Sequence, residues 1–194
     1  MIRIGILGDI GSGKTYVANS FKQPVFNADY EVSKLYKKDK DTFKKLRRAL
    51  PKYFHSFPIN KNEVTFSILD NNTNLKKIVS IIHSKIRKKL SLFLLKNKNK
   101  KIVILDIPLL LENKINKKKD ILVFVQSKKL DILKKLKKRK NYNQRLFDKF
   151  KKIQFSLKYK KKKSLFIIKN NFTKKSVKSD VKKIAEGFGF TSKV

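Results

Sequence analysis

The chain has 194 residues, with 51 Lys and Arg against 14 Asp and Glu, a formal net charge of +37 and no cysteine. The lack of cysteine excludes a disulfide framework and a thiolate metal site. No apolar run reaches the ~18 residues of a membrane span and no secretory-type segment precedes the first strand, so a cytoplasmic chain with one core is expected. Only six residues are arginine (Arg3, Arg47, Arg48, Arg87, Arg139 and Arg145). Base-reading surfaces lean on the bidentate arginine fork, so general polyanion stickiness rather than a specific nucleic-acid partner is expected.

In chain order, Ile2, Ile4, Ile6 and Leu7 make a β-branched apolar run suited to a buried parallel strand. Gly8, Gly11, Gly13, Lys14 and Thr15 then fit G-x-x-x-x-G-K-[ST], the phosphate-loop pattern. Glycines let the backbone turn its N–H groups inward on a phosphate chain, and the following segment, Tyr16–Phe21, reads as a helix. The candidate ATP- and phosphate-binding set is therefore Gly8, Asp9, Ile10, Gly11, Ser12, Gly13, Lys14, Thr15 and Tyr16. Lys14 suits the β- and γ-phosphates, and the Thr15 hydroxyl suits Mg²⁺. The alternative is a glycine-rich turn that binds nothing; the position between a strand and a helix argues against it.

Pro24–Asn27 reads as a second strand, and a βαβ start implies a parallel sheet with ligands at the carboxyl ends of its strands. Asp29 follows. Its carboxylate suits an attacking hydroxyl, and it equally suits the N-cap of a helix beginning at Tyr30. Residues 31–95 carry a helical pattern broken near Pro51 and Pro58, with Leu35, Leu46, Ile78, Ile82, Ile86 and Leu90 among its apolar positions. His83 lies near that stripe and by itself reads as a packing histidine.

Ile102–Leu105 is a further buried-strand run, ended by Asp106, an acid of the kind that holds Mg²⁺ or its water shell. Pro108 stops the strand and Glu112 falls in a loop or helix start. Ile121–Val125 and Ser164–Ile168 are the remaining strands, with a closing helix over about 173–184 and a frayed tail over 187–194. Between those strands, 128–163 reads as two lysine-rich helical stretches around Asn141-Tyr142-Asn143. They form either a solvated surface or a basic lid centred on Arg139. Asn170 is read as a residue near an adenine or as a turn residue.

Together these segments resemble the bacterial dephospho-CoA kinase family, P-loop kinases of the nucleoside-monophosphate-kinase type, over roughly residues 1–184. The likeness rests on IGILGDIGSGKTYVANSF, FNADYEV, IIHSKI and DIPLLLENK, in that order. It implies an α/β fold: a P-loop NTPase-type parallel five-stranded sheet flanked by helices, with a helical substrate-binding region and a lid. The expected layout is one kinase domain, with its core at about 1–30, 100–127 and 164–186, the substrate region at about 31–97 and the lid at about 128–163.

The resemblance further implies transfer of the ATP γ-phosphoryl group to the ribose 3′-hydroxyl of dephospho-CoA, with Mg²⁺. ATP and dephospho-CoA are the expected partners, with no membrane and a monomer favoured. Lys14, Asp29 and Arg139 become the expected catalytic residues, Asp29, His83, Pro108 and Leu109 the substrate side, and Thr15 with Asp106 the metal side. Five positions depart from the family pattern: Leu7, Asp9, Asn27, Ser84 and Leu157. Asp9 should repel the nucleotide unless it points away or contacts Mg²⁺. Leu157 stands where a lid arginine is usual, with Lys158 and Lys160 to Lys163 as replacement charges. The alternatives are another small-molecule P-loop kinase, acting on a nucleoside, nucleotide or shikimate-like alcohol, and a basic nucleotide- or nucleic-acid-binding module. A binding module has no need of Asp29.

Overall fold

The computed structural model describes residues 1–139 and 142–189. Five strands, β1 (Ile2–Gly8), β2 (Val25–Asn27), β3 (Ile102–Asp106), β4 (Ile121–Gln126) and β5 (Phe166–Lys169), form one parallel sheet in the order β2-β3-β1-β4-β5. This is the five-stranded parallel sheet the sequence led us to expect. Onward connections leave β1 toward β2 and β4 toward β5, in opposite directions, so a crevice opens at their carboxyl ends.

The chain divides into two compact units: Met1–Asn27 with the chain from Asn97 onward, and Ala28–Lys96. In the first, alternation along β1 assigns its two faces. Ile4 and Ile6 are fully buried against Val17, Ala18 and Phe21 at α1 (Lys14–Ser20) and against Val177, Val181 and Ile184 of α9 (Lys174–Gly187). A side chain as large as Phe21, wholly out of water, contributes roughly 2–3 kcal/mol of transfer free energy. On the other face Gly5 makes room for its neighbours: a Cβ there would meet Leu110 Cδ2 at 2.6 Å and Leu122 Cδ2 at 3.0 Å. Arg3, also on that face, donates from Nη2 to Asp120 Oδ2 at 2.8 Å and to the Ile115 carbonyl at 3.3 Å. This buried pair ties the start of the central strand to the loop that leads into β4.

The basic segment contains three helices rather than the expected two: α6 (Lys129–Lys137), α7 (Gln144–Lys152) and α8 (Leu157–Lys163). The extra break has a capping cause. Asn143 accepts from Leu146 N to start α7, and Ser156 accepts from Tyr159 N to start α8 after the chain leaves the helix at Ile153. Asn141, between the expected stretches, lies outside the described residues. So do positions 190–194 of the expected frayed tail; the closing helix itself runs on to Gly187.

The second unit holds α2 (Ala28–Lys38), α3 (Lys40–Ala49), α4 (Lys61–Asp70) and α5 (Asn72–Lys96). In α5, Asn74, Ile78, Ile82, Ile86 and Leu90 are buried at four-residue spacing, one stripe against α2, α3 and α4. Asp39 caps α3 by accepting from Thr42 N at 2.9 Å and pairs with Lys85 of α5 at 3.2 Å. The helix α2 begins at Ala28, so Asp29 lies in its first turn and is not the N-cap of a helix starting at Tyr30. Among the described residues no helix is long and apolar enough to cross a membrane.

Candidate active site

Parallel pairing brings the strand ends into a row: Asn27 is the register partner of Asp106, Gly8 of Val125, and Gln126 of Lys169. The phosphate loop rises from the centre of that row. Lys14 Nζ donates to the Asp9 carbonyl at 2.7 Å and reaches the Gly8 carbonyl at 3.5 Å, so its ammonium lies back over the loop it closes. Ser12 is fully buried, and its carbonyl accepts from Ser127 Oγ at 3.0 Å and Asn170 Nδ2 at 2.9 Å. Gly13 is required twice over. Its φ of 87° lies in the left-handed region, and a Cβ would meet Asn170 Nδ2 at 2.3 Å.

Beneath the loop, Asp106 Oδ2 accepts from Thr15 Oγ1 and from Asn27 Nδ2, each at 2.6 Å. Asp106 is only 3% exposed. Burial pushes its carboxyl above the ordinary range, opposed by the Thr15 bond, the Lys14 charge and the Asn27 bond. The departure at Asn27 thereby gains a reason. An amide donates to Asp106, whereas a second carboxylate would repel it.

Against the loop itself a cavity of about 380 Å³ is lined by Gly13, Tyr16, Lys135, Arg139, Asn170 and Phe172, among others. Arg139 reaches it from just beyond the C-cap of α6, and Lys135 Nζ stands 5.6 Å from the Phe172 ring centroid. Asn170, 2% exposed, also accepts from Phe172 N at 2.8 Å through Oδ1. Asn170 is therefore both a turn residue and a wall of the loop.

The Asp9 carboxylate is paired within the protein. Both carboxylate oxygens lie 2.6 Å from Lys151 Nζ of α7, and Oδ1 also accepts from Ile10 N at 2.8 Å. The replacement charges expected in α8 need correcting at Lys160. Its ammonium is buried on Glu112 at 2.8 Å, because a carboxylate with 8% exposure takes a counter-ion. Lys158 and Lys161 to Lys163 are exposed. Leu157, 37% exposed, is the first residue of α8.

Pro108 and Leu109 are half-buried in the turn after β3, where Leu109 has a φ of 57°, uncommon for a residue with a Cβ. In the helical unit, Asp29 is exposed and His83 is half-buried on α5. Burial, then the charge of Arg87, holds the His83 imidazole below its usual pKa. Sequence reasoning did not single out Ser127, Lys151, Phe172 or Lys135 for the site. Ser127 and Phe172 follow strand ends and were findable on that ground; the two lysines carry no signal among so many.

The parallel sheet and the loop at the end of its central strand define a P-loop NTPase-type fold. The dephospho-CoA kinase family model matches residues 2–176. The dephospho-CoA kinase of Wolbachia sp. subsp. Brugia malayi (strain TRS) is 32% identical over 194 aligned residues, covering 97% of this chain and 99% of that one. The chain belongs to the dephospho-CoA kinase family. Its fold is similar to that of TT1252 from Thermus thermophilus (TM-score 0.80, 20% identity, 96% of each chain). It is also similar to dephospho-CoA kinase from Campylobacter jejuni (TM-score 0.63, 20% identity, 96% of each chain).

Proposed function

We infer that this chain transfers the γ-phosphoryl group of ATP to the ribose 3′-hydroxyl of dephospho-CoA, giving CoA and ADP, the last step of coenzyme A biosynthesis. The observation that carries this reading is the family match across residues 2–176 in a chain whose phosphate loop is complete.

Phosphoryl transfer is a matter of positioning and charge stabilisation. The backbone N–H groups of Gly11 to Thr15 hold the phosphate chain, and Lys14 exchanges the Asp9 carbonyl for phosphate oxygens. Thr15 and Asp106 suit Mg²⁺: a hydroxyl and a carboxylate face each other at 2.6 Å beside the loop. Among the described residues no group of three or more His, Cys, Asp or Glu side chains is arranged for a metal. That donor set fits a cation completed by phosphates and water rather than an all-protein cage. Bound there, Mg²⁺ supplies charge neutralisation at the phosphates. The Arg139–Phe172 cavity beside the loop takes the nucleotide, and the guanidinium stabilises charge. Asp29 orients the acceptor hydroxyl and takes its proton, and His83, Pro108 and Leu109 serve the acceptor side; these roles rest on the resemblance.

The test is ADP release from Mg-ATP with and without dephospho-CoA, for wild type and Asp29→Asn. Acceptor-dependent ADP and CoA, lost in the variant, is the expected result. ADP release indifferent to dephospho-CoA overturns the acceptor assignment.

A further inference from the structure

A carboxylate in a loop that binds phosphates raises the local negative charge where the ligand is most negative. Here the acid is not free to act that way. Asp9 is 14% exposed at its side chain and has both oxygens on Lys151 Nζ, whose own side chain is 43% exposed. The Ile10 N–H fixes the same carboxylate from the loop side. The main-chain oxygen of Asp9 meanwhile holds Lys14. One loop residue thus carries two ammonium groups: the phosphate-binding lysine on its carbonyl, and a lysine from α7 on its carboxylate.

We propose that Lys151 is a positioning residue of the nucleotide site: by neutralising Asp9 it sets the loop's affinity for phosphates and seats α7 on the loop. This rests on the loop binding nucleotide, as in the reading above. The charge arithmetic is specific. Asp9 with Lys151 leaves the loop with the same net charge as a glycine with no partner. Removing Lys151 alone leaves the acid bare beside the phosphates, and removing Asp9 alone leaves an added cation there. The ammonium on Asp9 comes from α7, while Lys160 of α8 is committed to Glu112.

The experiment is calorimetric titration of ADP into the full chain, for wild type, Lys151→Ala, Asp9→Gly, the double variant and Lys152→Ala. Lys151→Ala is expected to weaken ADP roughly tenfold, the effect of one like charge brought near the phosphates in a partly solvated site. Asp9→Gly is expected to bind ADP tighter than wild type, a gain that structural damage does not produce. The double variant returns to within about threefold of wild type, because paired charges couple and do not add. Lys152→Ala, an exposed neighbour, leaves the affinity unchanged.

Wild-type affinity in Lys151→Ala overturns the proposal. So does a double variant as weak as Lys151→Ala, since Lys151 would then act on phosphate without Asp9. Thermal melts check that each variant folds, and Lys151→Gln replaces Lys151→Ala if it does not. Dephospho-CoA turnover by wild type is read separately. A wrong acceptor appears there and leaves the ADP comparison standing.

Discussion

Thr15 donates its hydroxyl to Asp106 Oδ2 at 2.6 Å, joining the end of the phosphate-loop motif to the last residue of β3. Asn27 closes the same oxygen from β2, so one carboxylate oxygen ties the ends of β2 and β3 to the first turn of α1. The arrangement keeps a charged group out of water. At neutral pH that charge works against the folded state.

The sign follows from burial. The folded carboxyl of Asp106 binds its proton more readily than the unfolded one, so stability falls as pH rises through the gap between the two pKa values. Asp106→Asn removes that cost, and its amide oxygen can accept from both Thr15 and Asn27. We expect Tm at pH 7.5 to rise by about 2–4 °C, the shift that roughly 1 kcal/mol gives a chain of this size, while Mg²⁺-dependent turnover is lost. Scanning calorimetry beside an ADP-release assay checks both. A lower Tm would mean that the carboxylate stabilises the fold.

Lys14 rests on two loop carbonyls and is the side chain poised for the phosphates. Lys14→Ala should lower turnover by roughly 10²-fold or more, comparable to the loss of one preorganised charge-stabilising contact. Steady-state kinetics at saturating ATP reads this. Near-wild-type turnover would sink the phosphate-loop assignment.

The Lys160–Glu112 pair is buried on both sides, and Glu112 Oε1 also accepts from Phe155 N at 2.9 Å. Lys160→Met strands the carboxylate and should cost roughly 3–5 kcal/mol in urea unfolding. Adding Glu112→Gln should recover most of that, since no charge is then left unpaired. A loss below about 1 kcal/mol in the single variant would show that water reaches the site.

His83 gives a pH dependence of the opposite sign to Asp106. Burial and Arg87 hold its folded pKa below 6.5, so just under that pH the unfolded chain binds more protons. Its contribution to stability is complete above the unfolded pKa and is lost as pH falls below it. The urea midpoint should therefore drop between pH 7.5 and 5.5, and drop less in His83→Gln. Equal drops in the two proteins would place the pH dependence elsewhere.

Much of this was legible in one dimension. Gly8 to Thr15 fix a backbone conformation by their own dihedral preferences, and β-branched runs ending in Asp106 mark a buried strand with an acid at its rim. Local chemistry of that kind survives any tertiary context, and the order of the segments placed the chain in its family. The pairings were a different matter. Asp9 with Lys151, Glu112 with Lys160 and Ser12 with Asn170 join residues far apart in sequence, and nothing local distinguishes Lys151 from the other lysines. The sequence by itself determined the loop, the strands and the acid beside them. Only the tertiary structure decided which carboxylate meets which ammonium, because burial and distance, not residue type, select a partner from so large an excess of cations.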